Sequence, residues 1–408
     1  MDNLSHSLAG LAVGELLHRS LPQEADPGQQ RIRRRLLLFT SWAASNFPDL
    51  DLVLTPVLPV PLGYLMHHRG HTHTLLYAIP QALLLWGLIL LLWPNARRLI
   101  DASATARKGF FAALSIGLVL HLSMDFLNSY GIHPFHPFDS RWLYGDMVFI
   151  LEPFFWIAFG VPLAMMTPPA LRILSLVLLA AVPAYFAGKG FLHWSSLAAL
   201  AVLAAVAGTV QYRAGHTGRR GLASAFVLAA GFIALQGVAS WNAGRMVAGT
   251  LLQRDGASRV LDVALTPFPT NPVCWTFVSV ESDPRAGKYA LRRGVLSLAP
   301  GLLPLDHCPA SRWGDVLPAD ATRSIAFYST EVADLYTLRA LKEGNCHFEA
   351  WLRFSRTPSV GATAATDLRY GPAWKENFTT LDFESFRKLD CPRYVPRWGF
   401  PRSDLLGP

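Results

Sequence analysis

From Thr74 to Trp93 the chain runs 20 residues without an Asp, Glu, Lys or Arg. At ~1.5 Å per residue a helix of that length matches the ~30 Å hydrocarbon core of a bilayer. Lipid cannot satisfy backbone polar groups, so a chain with such a run must fold as helices or a closed barrel, and a 20-residue run dictates helices. Similar runs recur at about 109–127, 147–166, 173–187, 190–210 and 221–241, giving six expected full spans. Two shorter apolar segments, Leu4–Leu17 and Leu36–Phe47, precede them and read as short membrane helices. The predicted fold class is an α-helical integral membrane bundle with a C-terminal, mostly β extramembrane domain.

Composition locates the boundary. Residues 74–244 carry 15 charged residues and residues 245–408 carry 37, so a membrane domain over 1–244 is followed by a domain of soluble character over 245–408. The net charge of +8 reads as membrane anchoring, and no nucleic-acid partner is expected. The basic clusters Arg31/Arg33/Arg34/Arg35, Arg97/Arg98/Arg107/Lys108, Arg172 and Arg213/Arg219/Arg220 should face the cytoplasm. Threading eight helices satisfies all four clusters and puts both termini outside. The first apolar stretch is not a secretory signal by pattern, because its first basic residue, Arg19, follows the apolar core.

The C-terminal domain has short β-branched and aromatic runs, Cys274–Val280, Ser324–Tyr328 and His347–Phe354, which predict strands. Cys274, Cys308, Cys346 and Cys391 are the chain's four cysteines. An even number confined to an oxidising compartment suggests up to two disulfides.

Ionisable residues inside a membrane are costly and mark function. The threading collects them at the outer face: His6, Asp49, Asp51, the His67/His68/His71/His73 segment, His121 and Asp125 four apart on one helix face, Asp146 and Glu152. His133 and His136 sit in the same outer region and carry weaker expectations. Imidazole and carboxylate together are ligands of hydrolytic Zn²⁺ or Mn²⁺ sites, and so many candidates imply two ions or one ion with a rich outer shell. Arg69 has the guanidinium geometry to pair with a phosphate.

The segments Met1-Asp2-Asn3-Leu4-Ser5-His6, Phe47-Pro48-Asp49-Leu50-Asp51, His68-Arg69-Gly70-His71-Thr72-His73 and His121-Leu-Ser-Met-Asp125-Phe-Leu-Asn128-Ser-Tyr-Gly131 resemble the YdjM-type family of bacterial membrane-bound metal-dependent hydrolases. The resemblance covers residues 1–160 and reaches more weakly into the C-terminal domain at Asn271-Pro272, Trp275 and Arg369-Tyr370-Gly371. It implies a bacterial inner-membrane location and metal-ligand roles for His6, Asp49, Asp51, His68, His73, His121 and Asp125, with Asp2, Arg69 and Asp146 nearby. It also sets His71 aside, as a position that varies in the family. Ser5 stands where Thr is usual and Glu152 where Asp is common, departures that leave the ligand set intact.

The leading functional expectation is a hydrolase with a two-metal site at the outer membrane interface, acting on a phosphoester in a lipid or lipid-linked substrate. Arg69 would bind phosphate, and Asp146 or Glu152 would serve as general base or support the ligands. Two alternatives compete. A membrane di-iron oxygenase would use His67-x-x-x-His71 as a histidine box, and a non-enzymatic anchor or metal sensor would use the metal structurally.

Overall fold

The computed structural model describes residues 1–254, 258–309, 318–371 and 377–407. The first helix, α1 (Asn3–Ser20), is capped by Asp2, whose carboxylate accepts from the Ser5 amide at 2.9 Å. Asp26 caps α2 (Pro27–Ala44) in the same way, with Pro27 placed in the first turn where its missing N–H is harmless. A 3₁₀ segment, Phe47–Val57, leads to α3 (Leu62–His67). The remaining helices of the bundle are α4 (Leu75–Leu92), α5 (Pro94–Ala102), α6 (Ala104–Phe126), α7 (Pro153–Met165), α8 (Pro169–Gly188), α9 (Trp194–Ala214) and α10 (Arg220–Arg254).

Five of these, α4, α6, α8, α9 and α10, are long and apolar enough to cross a membrane. The run expected as a full span at 147–166 is instead a 13-residue helix. At ~1.5 Å per residue it covers ~20 Å, short of the ~30 Å core. The reason is local: residues up to Glu152 are tied to the C-terminal domain, and Glu152 and Pro153 start the helix only there. Ten of its 13 residues are buried, so α7 sits inside the bundle, whereas α4 and α8 expose residues such as Leu91 and Ile173.

The helices alternate in direction. The basic ends meet one another, since Arg19 donates to the His216 carbonyl, Arg172 lies 3.3 Å from His216, and Arg33 and Ser103 share Glu24. The opposite end holds His6, Ser45, His121 and the C-terminal domain. Close approach of α1, α2 and α6 makes this possible: a Cβ on Gly10 would lie 2.0 Å from Ser45 Oγ, and one on Gly117 would lie 2.6 Å from Ala44 Cβ. Any larger residue would push the helices apart and disperse the side chains at their ends.

The α10 helix continues ten residues past the compositional boundary at 244, and its Ala239, Ala243, Val247 and Leu251 pack on a sheet. That sheet is antiparallel, ordered β1 (Arg259–Pro267), β2 (Cys274–Asp283), β3 (Lys288–Ser297), β5 (Ile325–Asp334), β4 (Asp320–Ala321). The chain then forms α11 (Leu335–Gly344) and α12 (Cys346–Leu352), followed by a small sheet of β6 (Pro358–Val360), β7 (Ala364–Asp367) and β8 (Leu381–Asp382). The strand expected over His347–Phe354 is therefore helical through Leu352. Asn345 decides this, because its side chain accepts from the amides of His347 and Phe348 and caps a helix that aromatic composition disguises. The four cysteines pair as Cys274–Cys308 and Cys346–Cys391.

One apolar core joins the two regions. Leu58, Leu62, Leu65 and Met66, from the connection between the Asp49/Asp51 and His68/His73 segments, pack with Trp351, Phe354, Leu368 and Trp398 of the C-terminal domain. That domain thereby fixes the connection between two segments that carry four of the seven candidate ligands.

Candidate metal centre

Two segments and two helix ends bring the expected ligands together. On α6, His121 and Asp125 are both fully buried one turn apart. The His121 Nδ1 lies 2.8 Å from the Ser45 carbonyl, an acceptor, so Nδ1 carries the proton and Nε2 keeps a free lone pair facing the cluster. That Nε2 lies 3.0 Å from His73 Nε2, 3.3 Å from Asp125 Oδ2 and 3.6 Å from Asp49 Oδ1. His73 Nε2 in turn lies 3.0 Å from Asp125 Oδ2 and 3.4 Å from Asp49 Oδ1. Two imidazoles and two carboxylates thus converge on one point.

A second convergence adjoins it. His68 Nδ1 lies 3.1 Å from Asp51 Oδ1, and Asp51 also accepts from the Arg69 amide at 3.0 Å and the Thr72 hydroxyl at 2.5 Å. Donor atoms of Asp49, His73, His121 and Asp125 all lie within 4.8 Å of one another, and so do those of Asp49, Asp51 and His68. Either group can hold a metal ion, and Asp49 belongs to both. His6 completes the set, stacked on His121 with ring centres 4.1 Å apart and Nε2 3.3 Å from Asp125 Oδ1.

Electrostatics show how strongly this cluster favours cations. Burial opposes charge on His73, but hydrogen bonds to Asp125, Asp49 and Asp51 outweigh it and hold the imidazole protonated up to about 10. Burial likewise opposes charge on Asp49, yet the hydrogen bond from His73 holds its carboxyl well below the usual carboxylate range. Three carboxylates share this space, and protonated His73 and Arg69 offset their charge. The donor set fits a divalent ion that would displace the His73 proton on binding.

Arg69 is 2% exposed and already engaged: Nη2 lies 2.8 Å from Asp125 Oδ1 and Nη1 donates to Asn128 at 3.0 Å, while Nε has no partner among the described residues. Asp146 and Glu152, expected beside the metal, make their contacts at the seam between the two regions. Arg356 grips Asp146 through two 2.8 Å bonds, and Glu152 accepts from the Thr270 amide and hydroxyl at 3.1 and 2.5 Å. His71 lies outside the cluster against Tyr77, His136 and Trp398, and His133 packs edge-on to Trp142 and tilted against Trp398. The histidine-box spacing of His67 and His71 therefore does not map onto the cluster.

Ser45, Tyr64, Phe378 and Arg356 carry no motif signal, whereas Tyr130 and Tyr370 lie within the motif segments. Ser45 acts through its backbone carbonyl, which no side-chain pattern reveals. An aromatic wall beside His68 draws on both regions: Tyr64 and Tyr130 flank His68, while Phe378 stacks edge-on to Tyr64 and sits 4.6 Å from Tyr370. The arginine at 356 had no sequence signal because its partners lie 94 and 210 residues away.

Residues 1–193 match the family described as YdjM inner membrane protein. The match takes in just under half of the chain, all of it N-terminal. The chain is also 27% identical over 158 residues to the uncharacterized protein YfhP of Bacillus subtilis (strain 168), a match covering 39% of this chain and 44% of that protein. No solved structure matches. The matched YdjM region contains every residue of both candidate ligand groups.

Proposed function

We propose that this protein is a membrane-bound, metal-dependent hydrolase with a two-metal site, cleaving a phosphoester in a lipid or lipid-linked substrate. The observation that carries the reading is the pair of adjoining ligand groups that share Asp49. His73, His121 and Asp125 would hold one ion, Asp51 and His68 the other, and Asp49 would bridge them, with His6 supporting Asp125 and His121. When bound, such a pair of Zn²⁺ or Mn²⁺ ions makes a shared water nucleophilic near neutral pH and neutralises charge on the phosphoester.

The chain's own groups supply orientation. The Ser45 carbonyl fixes the His121 ring, Thr72 and the Arg69 amide fix Asp51, and Arg69 balances Asp125 while its Nε stays free for a phosphoryl oxygen. A carboxylate-rich set of three Asp and four His argues against a di-iron oxygenase built on histidine boxes. The site would face the outside of the inner membrane: it lies at the end opposite the basic clusters and beside a domain with two disulfides.

Purified protein should contain tightly bound Zn²⁺ or Mn²⁺ by elemental analysis and hydrolyse bis-p-nitrophenyl phosphate or defined phospholipids. The double variant His121→Ala with Asp125→Ala should lose both metal and turnover. Retained metal with no turnover on a broad phosphoester panel would establish a structural site and refute the hydrolase.

A further inference from the structure

An apolar groove of about 480 Å³ runs between α2 with its following 3₁₀ segment and α4. Phe39, Trp42, Phe47 and Leu50 form one wall, and Leu88 and Leu92 belong to the other. Among the described residues no ionisable side chain lines it, and its polar contributor Asn46 spends its amide on the Trp42 carbonyl and accepts from Ser7. A second apolar groove, between α1, α7 and α8, differs in including Glu15 and Arg34.

The position of the first groove is what gives it meaning. Its outer end, Asn46 to Leu50, brackets the shared ligand Asp49 and follows directly on Ser45, whose carbonyl orients His121. From there it descends along α4, a helix whose apolar surface is mostly free of protein contact. The α4 wall from Leu85 to Leu92 covers about 10 Å at the helical rise, against about 15 Å for one leaflet's hydrocarbon. A groove whose outer end is lined by the chain neighbours of the candidate ligand Asp49, and which descends through most of a leaflet between apolar walls, matches a hydrocarbon chain lying along the membrane normal.

We propose that this groove binds an acyl chain of the membrane lipid substrate, with the chain's polar end held at Asp49. The identity of that polar end rests on the hydrolase reading above; occupancy of the groove by a chain does not.

The test uses the full-length protein in phospholipid nanodiscs containing phosphatidylglycerol with a photoactivatable diazirine at either the proximal or the distal end of one acyl chain. After irradiation, crosslinked peptides are mapped by mass spectrometry. Proximal probes should label residues 46–50 and distal probes Phe39 and Leu92–Trp93, both enriched over the lipid-exposed faces of α8 and α9. Ala43→Trp should lower this labelling about tenfold, the loss expected when two buried methylenes are displaced. The wild-type depth pattern stands without the variant. Labelling spread evenly over all exposed helices, or independent of probe position, would overturn the proposal. So would crosslinking of these residues to a second copy of the chain. Because labelling requires no turnover, absence of hydrolysis with depth-ordered labelling would refute the hydrolase and leave the groove standing.

Discussion

Replacing Arg356 with Ala tests whether the C-terminal domain is locked to the membrane region by a buried charge network. The guanidinium is 5% exposed and donates to Asp146 twice at 2.8 Å and to Asp262 at 2.7 and 2.9 Å, with the Tyr144 ring 4.1 Å beneath it. Asp262 would keep Arg402 at 3.1 Å, so it is not abandoned. Asp146 would keep little beyond a 3.4 Å bond from the Leu265 amide, so the penalty falls on that carboxylate. Leaving one partner of a buried pair uncompensated costs about 3–5 kcal/mol. Burial already pushes the Asp146 carboxyl upward with Arg356 present, and without it the group would take up a proton sooner. A folded-state pKa raised above the unfolded value means that stability falls as pH rises between the two, so the penalty of Arg356→Ala should grow from pH 5 to pH 8. Hydrogen exchange at the Leu265 amide, which bonds to Asp146, reports opening of the seam in detergent-solubilised protein. Protection should drop by about two to three orders of magnitude at pH 8, since each 1.4 kcal/mol is tenfold. Adding Asp146→Asn should restore much of the loss. A change below about 1 kcal/mol at pH 8 would refute the network as the lock, because an exposed, screened pair is worth no more than that.

Glu152 should make the same seam pH-sensitive. Burial raises its carboxyl to about 7 against the hydrogen bonds from Thr270 and Phe154, so stability should decline by about 3 kcal/mol from pH 4.5 to 7, and Glu152→Gln should flatten that slope in pH-dependent denaturation. Breaking the Cys346–Cys391 bridge, whose ends are separated by 45 positions in sequence, by Cys391→Ser should destabilise the domain by about 4 kcal/mol on the chain-entropy account, read as a lowered denaturation midpoint. A phosphatase reporter fused after Pro408 should be active, as only an extracytoplasmic phosphatase is. A silent, well-expressed fusion would reverse the proposed sidedness of the metal centre.

The sequence alone determined the membrane character and pointed to a set of candidate ligands. Uncharged runs permit only helices in lipid, and His or Asp in an apolar helix has no inexpensive explanation, so both could be read without knowing what lay near what. The structure brings all seven anticipated ligands into contact and leaves His71 outside. What it alone decided depends on distance along the chain. Division of the ligands into two groups around Asp49 joins residues from three separate segments, and no local period encodes which carboxylate is shared. Asp146 and Glu152 looked like members of the site because acids near a membrane helix are rare, but their partners Arg356 and Thr270 come from another domain. The helix at Cys346–Leu352 and the short α7 misled for a related reason: composition sets how apolar a segment is, while a capping side chain and tertiary anchors decide where its hydrogen-bonding pattern begins.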